Sequence, residues 1–351
     1  MIRITAAIVA LCLASAAAAQ EAVATFGPQD AAETLVIRST TDIAVFGPVV
    51  ETFLDTRPGM RVLYEQWGSN DLAAHAEEAC ADKVFDADLL ISSAIDLLIR
   101  LVNDGCAAAH RSAATQALPP ARNWRHELFG VTAEPAVLIY NRELVSEDEA
   151  PRSRFDLIDL LRPANSRFAG KVATYDIEES GLGYLFAFVD SLQANTFGRL
   201  LEAFGRSGAI ATCCSAEIID AVARGEYLLA YNVLGSYALA RAEEDPRIGI
   251  RAPSDYTLIL SRAAMIPRQA RRPRMAGEFI DFLLSPAGRA ALVGARLIVR
   301  TGDTENADIA LEGAGPSSLR PIELSPVLLA GVDRHKRRIF LEQWRANLLR
   351  Q

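Results

Sequence analysis

The sequence predicts an α/β fold built on parallel sheet, and three observations point there. Short β-rich runs alternate with segments of helical spacing. Capping and turn residues fall between them. The run Ala87–Ile91 is apolar apart from Asp88, as in a strand covered on both faces. The chain has 351 residues, 50% hydrophobic and 23% charged, which is enough for sizeable cores. At that length two domains are expected rather than one. A net charge of −8 argues against a nucleic-acid binder.

The elements follow in order. Thr34–Arg38 is a β-rich run, and Ser39-Thr40-Thr41-Asp42 caps a helix over Ile43–Thr56 that carries Val45, Val49 and Phe53 at helical spacing. Pro58-Gly59 ends it. Arg61–Gln66 is a second strand, Gly68 to Asp71 caps the helix Leu72–Ala81, and Ala87–Ile91 is the third strand. Ser92-Ser93 then starts the helix Ala94–Asn103. After a loop at Pro119-Pro120, Glu127–Val131 and Ala136–Tyr140 read as extended segments on either side of Glu134-Pro135. Lys171–Thr174 is a strand followed by the helix Tyr184–Leu192, which Ser180-Gly181 opens. Ser215 caps Glu217–Arg224, Tyr227–Tyr231 is an apolar strand, and Asn232 to Ser236 leads into a helix over Tyr237–Glu243. Ile248–Arg251 and Tyr256–Leu260 are strands. Glu278–Leu284 is a helix, and Arg334–Leu349 a basic amphipathic one.

The first residues read as a secretory signal. Arg3 supplies the positive start, Ile4 to Ala14 the apolar stretch, and Ala16 to Ala19 small residues for cleavage after Ala19. A soluble protein of the bacterial periplasm is expected. Cys12 leaves with the signal, and Cys80, Cys106, Cys213 and Cys214 remain. An even number in an oxidising compartment favours pairing. Cys80 ends one helix and Cys106 the next, at the same edge of the sheet, so a Cys80–Cys106 disulfide is geometrically reasonable. Cys213-Cys214 would then be either a vicinal disulfide or two buried thiols. The scattered histidines lack zinc spacing, and no metal or cofactor is expected.

Open α/β sheets bind ligands beyond the carboxyl ends of their strands, where helix N-termini favour anions. Five such ends carry hydroxyl, amide and aromatic residues: Ser39, Thr40 and Thr41; Trp67 and Ser69; Ser92 and Ser93; Tyr175, with Ser180 and Gly181; and Tyr231, Asn232 and Ser236. These residue types suit binding rather than bond breaking, though each is also an ordinary capping residue. No nucleophile elbow, phosphate loop or H-E-x-x-H motif occurs, so no enzyme is expected.

Several segments resemble the extracellular solute-binding proteins of ABC transporters, in the branch that includes ferric-iron-binding proteins. They are LLISSAIDLLIRLVNDG (Leu89–Gly105), VTAEPAVLIYNREL (Val131–Leu144), GEYLLAYNVLGSYA (Gly225–Ala238) and FIDFLLSPAGRAAL (Phe279–Leu292). The resemblance implies the periplasmic binding protein type II fold, two α/β lobes with a hinge and an interlobe ligand cleft. It places lobe 1 at 33–130 plus 256–351, lobe 2 at 137–250, and hinge crossings near 130–137 and 249–256. The implied partners are a small-molecule ligand and an inner-membrane ABC permease, with the protein itself a monomer.

Where iron-binding members carry adjacent tyrosines, this chain has Gly235-Ser236, with Tyr231 and Tyr237 nearby. Fe(III) favours anionic oxygen ligands, so loss of the pair counts against ferric binding. The tail Ser317–Leu348 resembles periplasmic proteins associated with two-component systems, phosphoglycerate transport regulatory proteins among them. That implies an organic-anion solute and, as an alternative output, a sensor histidine kinase as partner.

Overall fold

The structure is a computed structural model that describes residues 20–193, 196–299 and 316–348. The expected signal, residues 1–19, lies outside these. The first lobe opens with β1 (Gln20–Phe26), β2 (Glu33–Ser39), α1 (Ile43–Asp55), β3 (Met60–Trp67), α2 (Ser69–Asp82), β4 (Leu89–Ser92) and α3 (Ile95–Asn103). It continues through β5 (Ala107–Ala108), α4 (Ala113–Gln116), β6 (Asn123–Trp124) and β7 (Leu128–Gly130). The second lobe holds β8 (Glu134–Asn141), α5 (Arg154–Leu161), β9 (Val172–Tyr175), α6 (Gly181–Gln193), α7 (Phe197–Ser207) and β10 (Ile210–Thr212). It is completed by α8 (Ser215–Ala223), β11 (Leu229–Leu234), α9 (Gly235–Glu244), β12 (Ile248–Arg251) and β13 (Thr257–Leu260). The chain then returns through β14 (Ala263–Pro267), α10 (Pro273–Leu284) and α11 (Pro286–Gly294), and ends in β15 (Leu319–Pro321), α12 (Pro326–Val332) and α13 (Arg334–Leu348).

Two sheets result. The first runs β1-β3-β2-β4-β14-β7-β6, with β3, β2 and β4 parallel and the flanking strands antiparallel. The second runs β10-β9-β11-β8-β13-β15, with β12 also paired to β8. Asp88, which the structure places just before β4 rather than within it, has a specific reason to be buried there. Its carboxylate accepts from the Val36 and Arg272 backbone N–H groups at 3.0 and 2.8 Å, clamping β2 to the start of α10. Helix α1 buries Phe46, Val49, Val50 and Phe53 on one face, and Phe53 meets Phe279 edge-on at 4.8 Å. Each side chain so buried contributes about 2 kcal/mol.

The structure departs from the sequence reading at several elements. Strand β1 precedes the expected start of the first lobe, its residues alternately half-buried and exposed on the antiparallel edge. Helix α7 and strand β10 fill a stretch with no sequence assignment, as do α5, β14, α11 and α12. Pro135 lies inside β8 rather than breaking it, because it pairs with Ile259 at the strand's end. Asn232 does not begin a loop: β11 continues to Leu234 through a register shift at Asn232, which adopts φ 58°. Asn tolerates that left-handed backbone better than most residues.

The passages between sheets also move. The first, at 131–133, lies between β7 and β8. The second is at Ser261-Arg262, between β13 and β14, beyond the 249–256 stretch, because β13 still pairs with β8. The terminal helix α13 belongs with the second lobe rather than the first. Its Trp344 and Leu348 are buried in the same core as Leu200 and Phe204 of α7. A Cβ at Gly205 would stand 1.9 Å from the Asn347 carbonyl, so only glycine allows this close helix packing. Helix α12, just before it, packs on α3 of the first lobe.

Cys80 at the end of α2 is bonded to Cys106 beyond α3, with Cα atoms 5.5 Å apart. Cys213 is bonded to Cys214, so of the two alternatives the pair is a vicinal disulfide. Among the described residues no helix is long and apolar enough to cross a membrane.

One buried group makes stability depend on pH. Asp96, in the first turn of α3, is 0% exposed and neither carboxylate oxygen has a hydrogen-bond partner. Burial pushes its pKa up to about 7, against the pull of the first-turn amides and of Arg337. A carboxyl whose folded value lies above its unfolded value contributes stability that is complete below about pH 4 and is lost as pH rises through about 7. Asp96→Asn is therefore expected to raise the melting temperature at pH 8 and to change it little at pH 4.5. Calorimetric scans at both pH values check this, and equal shifts would contradict it.

Candidate functional site

A cleft of about 700 Å³ opens between the two lobes. Helices α1, α2, α3, α6, α8 and α9 all begin at its wall, each following a strand end or turn. That follows from topology, since parallel strands deliver their chains to one edge of each sheet. The first lobe contributes Thr40, Asp42, Gln66, Trp67, Gly68 to Asp71, and Ser93. The second contributes Tyr175, Ser180, Leu182, Cys213 to Glu217, Leu234 and Tyr237, with Arg262 from the passage between sheets.

Bonds cross the cleft between the lobes. The Tyr237 hydroxyl donates to Asp42 Oδ1 at 3.0 Å and accepts from the Asp42 N–H at 3.2 Å. The Gly181 N–H donates to Ser69 Oγ at 2.9 Å. Asn70 Nδ2 donates to the carbonyls of Glu178 and Glu179 at 2.9 and 2.8 Å. At the first lobe's floor the Ser93 N–H donates to Thr40 Oγ1 at 2.9 Å, and the two hydroxyl oxygens stand 3.1 Å apart.

Behind that floor lies a buried ion pair. Arg262 and Glu134 side chains are 1% and 0% exposed, with Nε to Oε1 at 2.9 Å and Nη2 to Oε2 at 3.2 Å. Thr132 and Ser236 hydroxyls donate to the same carboxylate at 2.7 and 2.6 Å. Arg262 Nη1 donates to Thr41 Oγ1 at 2.9 Å and to the Thr40 carbonyl at 3.2 Å. Burial is the largest single influence and works against the Arg262 charge, but the charge and hydrogen bond of Glu134 together with Tyr237 and Tyr64 outweigh it, and the net shift is upward. The guanidinium thus stays charged behind the cleft, with its formal charge matched by Glu134.

Six of the residues singled out in the sequence line the cleft: Thr40, Trp67, Ser69, Ser93, Tyr175 and Ser180. Gly181 stands beside it through its bond to Ser69. The other six turn elsewhere. Ser39 Oγ accepts from the Thr41 N–H, Thr41 accepts from Arg262, and Ser92 Oγ accepts from the Ala94 N–H. Tyr231 and Asn232 point into the second lobe's core, where both donate to Asp190 Oδ2 at 2.6 and 2.7 Å. Arg154 Nη2 also donates to Asp190, at 3.0 Å. Ser236 is held by Glu134. Strand alternation accounts for part of this, since successive side chains at a strand end face opposite sides.

Sequence reading missed Arg262, Tyr237's cross-lobe bond and the place of the Cys213–Cys214 disulfide at the cleft wall. A lone arginine between the apolar runs Thr257–Leu260 and Ala263–Pro267 is the signal that was there for Arg262.

The electrostatics are divided. Exposed carboxylates of Glu21, Asp71, Glu179 and Glu217 lie at the rim, where Asp71 and Glu217 occupy the first turns of α2 and α8. The other polar lining groups are hydroxyls, amides and helix starts, together with the half-buried Asp42, whose carboxylate accepts from Tyr237. Burial pushes Tyr175 up to about 12, although its hydrogen bond with Ser215 pulls the other way. Burial raises Tyr237 and Tyr231 as well, with Arg262 and Arg154 respectively opposing. All three phenols are therefore neutral at physiological pH. Among the described residues, no three His, Cys, Asp or Glu side chains gather where they could hold a metal ion. A separate groove of about 560 Å³ on the second lobe, around Gly205, Arg206 and Asn347, has no such convergence of helix starts.

The family model described as bacterial extracellular solute-binding protein matches residues 86–314. The substrate-binding protein of an ABC transporter from Agrobacterium tumefaciens is similar at 30% identity and TM-score 0.84, over 94% of this chain and 98% of that one. Periplasmic binding protein AfuA from Actinobacillus pleuropneumoniae, solved with fructose-6-phosphate, has TM-score 0.71 at 16% identity, over 91% and 100%. Iron-bound HitA from Pseudomonas aeruginosa has TM-score 0.68 at 22% identity, over 89% and 98%. The fold is accordingly periplasmic binding protein type II. No curated protein matches the sequence significantly.

Removing one partner of a buried ion pair leaves the other uncompensated, which costs about 3–5 kcal/mol. Glu134→Ala should lower unfolding free energy by about that amount in urea titrations, and Glu134→Gln combined with Arg262→Met should lose less. A double variant as unstable as Glu134→Ala would show that the pair is not the source.

Proposed function

The chain belongs to the bacterial extracellular solute-binding proteins, and we propose that its cleft captures a compact organic anion with one phosphate or carboxylate group and a hydroxyl-rich remainder. Proteins of this family bind a small ligand and deliver it to an ABC permease, and their fold is that of transport binding proteins rather than enzymes. The expected signal at residues 1–19 and the family support periplasmic residence, as a monomer that presents its ligand to the permease.

The observation that carries the solute class is the convergence of six helix starts and several hydroxyls on the cleft. Backbone N–H groups at helix N-termini attract anions at short range, so a protein with net charge −8 can still hold one. The rim carboxylates set the limit. They repel a second or third anionic group and accept hydrogen bonds from hydroxyls, which favours a singly substituted polyol or hydroxy acid over a tricarboxylate. Tyr231 is turned to Asp190 in the second lobe's core and Tyr237 is bonded to Asp42, so the two do not present a phenol pair to the cleft, which counts against ferric ion with its preference for anionic oxygen ligands.

Isothermal titration with fructose 6-phosphate, 3-phosphoglycerate, citrate and ferric citrate tests this. Binding is expected for at least one of the first two, more tightly than for either citrate form. Ser93→Ala should weaken that binding about five- to tenfold, the worth of one lost hydrogen bond, while Ser92→Ala leaves it near wild type. Tighter binding of ferric citrate, or equal effects of the two serine variants, would contradict the reading.

A further inference from the structure

The Cys213–Cys214 disulfide stands at the cleft wall, and we infer that it is a working part of the solute site whose oxidation state sets solute affinity. The inference rests on the reading of the cleft as the solute site.

Stability does not explain this bond. In the chain-entropy view a disulfide stabilises according to the length of chain it closes, and adjacent residues close the shortest loop. Cys80–Cys106 spans 26 residues; Cys213–Cys214 spans one. What the vicinal bond does is local. It joins the two side chains in a ring that contains the 213–214 peptide, and so restricts the torsions of the residues entering α8.

Those residues are connected to the site. Cys214 is the N-cap of α8, and its carbonyl accepts from the Ile218 N–H at 3.0 Å, the first bond of that helix. The next residue, Ser215, has its hydroxyl 2.6 Å from the Tyr175 hydroxyl. Tyr175 in turn accepts from the Leu234 N–H at 3.3 Å, at the start of α9. The disulfide is thus the covalent end of a line that aligns two helix starts and a cleft phenol. Its ring also supplies an apolar surface in a wall otherwise rich in hydroxyls and carboxylates.

The bond is also open to chemistry. Cys214 is exposed and Cys213 half-buried, whereas Cys106 is buried and its partner half-buried. A dithiol reductant would meet the vicinal pair first. One thiolate of the reductant attacks Cys214 Sγ, and the Cys213 thiolate leaves and takes a proton. The second reductant thiolate then displaces the Cys214 thiolate, which is also protonated. Two electrons and two protons reach the pair, and the reductant ends as its cyclic disulfide.

The test uses the full mature chain in three forms: oxidised, reduced with dithiothreitol until mass spectrometry counts two free thiols, and Cys213→Ser/Cys214→Ser. Fructose 6-phosphate and 3-phosphoglycerate are titrated into each, and amide exchange at Ile218 is followed. The expected result is about five- to tenfold weaker binding in both altered forms, the scale of a lost hydrogen bond. Exchange at Ile218 should become about tenfold faster, as a loosened helix start allows. Equal affinity in all three forms would overturn the inference. If neither compound binds any form, faster exchange on reduction supports the redox coupling of the cleft wall and removes the proposed solute class. Unchanged exchange then overturns the inference itself.

Discussion

The buried pair of Arg262 and Glu134 is the constraint on which the arrangement of this molecule rests. Each residue sits where the chain passes between the two sheets: Glu134 at the first residue of β8, Arg262 between β13 and β14. Both side chains are almost wholly buried. Desolvation alone would make such charges untenable, and only mutual pairing plus further hydrogen bonds makes the site stable. Those further bonds go to Thr40 and Thr41 in the first lobe and to Ser236 in the second. One ion pair therefore ties these two passages to the start of α1 and the start of α9. The cleft floor thus has a fixed origin at this point.

That arrangement underlies the anion site proposed for this acidic protein. Net charge is a long-range property that salt screens over roughly 10 Å. Affinity inside a cleft is decided by the groups within contact distance. Here those are helix starts and hydroxyls, with Asp42 engaged by Tyr237 and the exposed acids Glu21, Asp71, Glu179 and Glu217 around them. The matched charges of Arg262 and Glu134 contribute no net attraction, so Arg262 orients the floor rather than acting as a free cation for the ligand. In the proposed function, these exposed acids would act as a specificity device, admitting one anionic group and discouraging several.

Much of the architecture was legible in the sequence because strand, cap and helix alternate cleanly from Thr34 to Asn103. Residues read as strand-end donors reached the cleft where the strand terminates in a helix cap, as at Thr40, Ser93 and Ser180. The reading failed where a strand continued. Tyr231 and Asn232 looked like a strand end, but β11 runs on to Leu234 and both side chains turn to Asp190. Periodicity cannot report that Asp190, 42 residues earlier than Asn232, is waiting in the core. The same holds for Arg262, whose partner Glu134 is 128 residues away. The terminal helix was misplaced for a related reason. Its amphipathic pattern announced a buried face, but only the close approach of Gly205 and Asn347 identifies the surface that covers it.

The most direct test of the solute-site account is native mass spectrometry of the protein purified from its own host without added ligand. The account predicts a single non-covalent adduct of a small organic phosphate or carboxylate, released when the lobes unfold and without iron. An adduct carrying iron, or an adduct retained after Thr40 and Ser93 are both replaced by alanine, would contradict it.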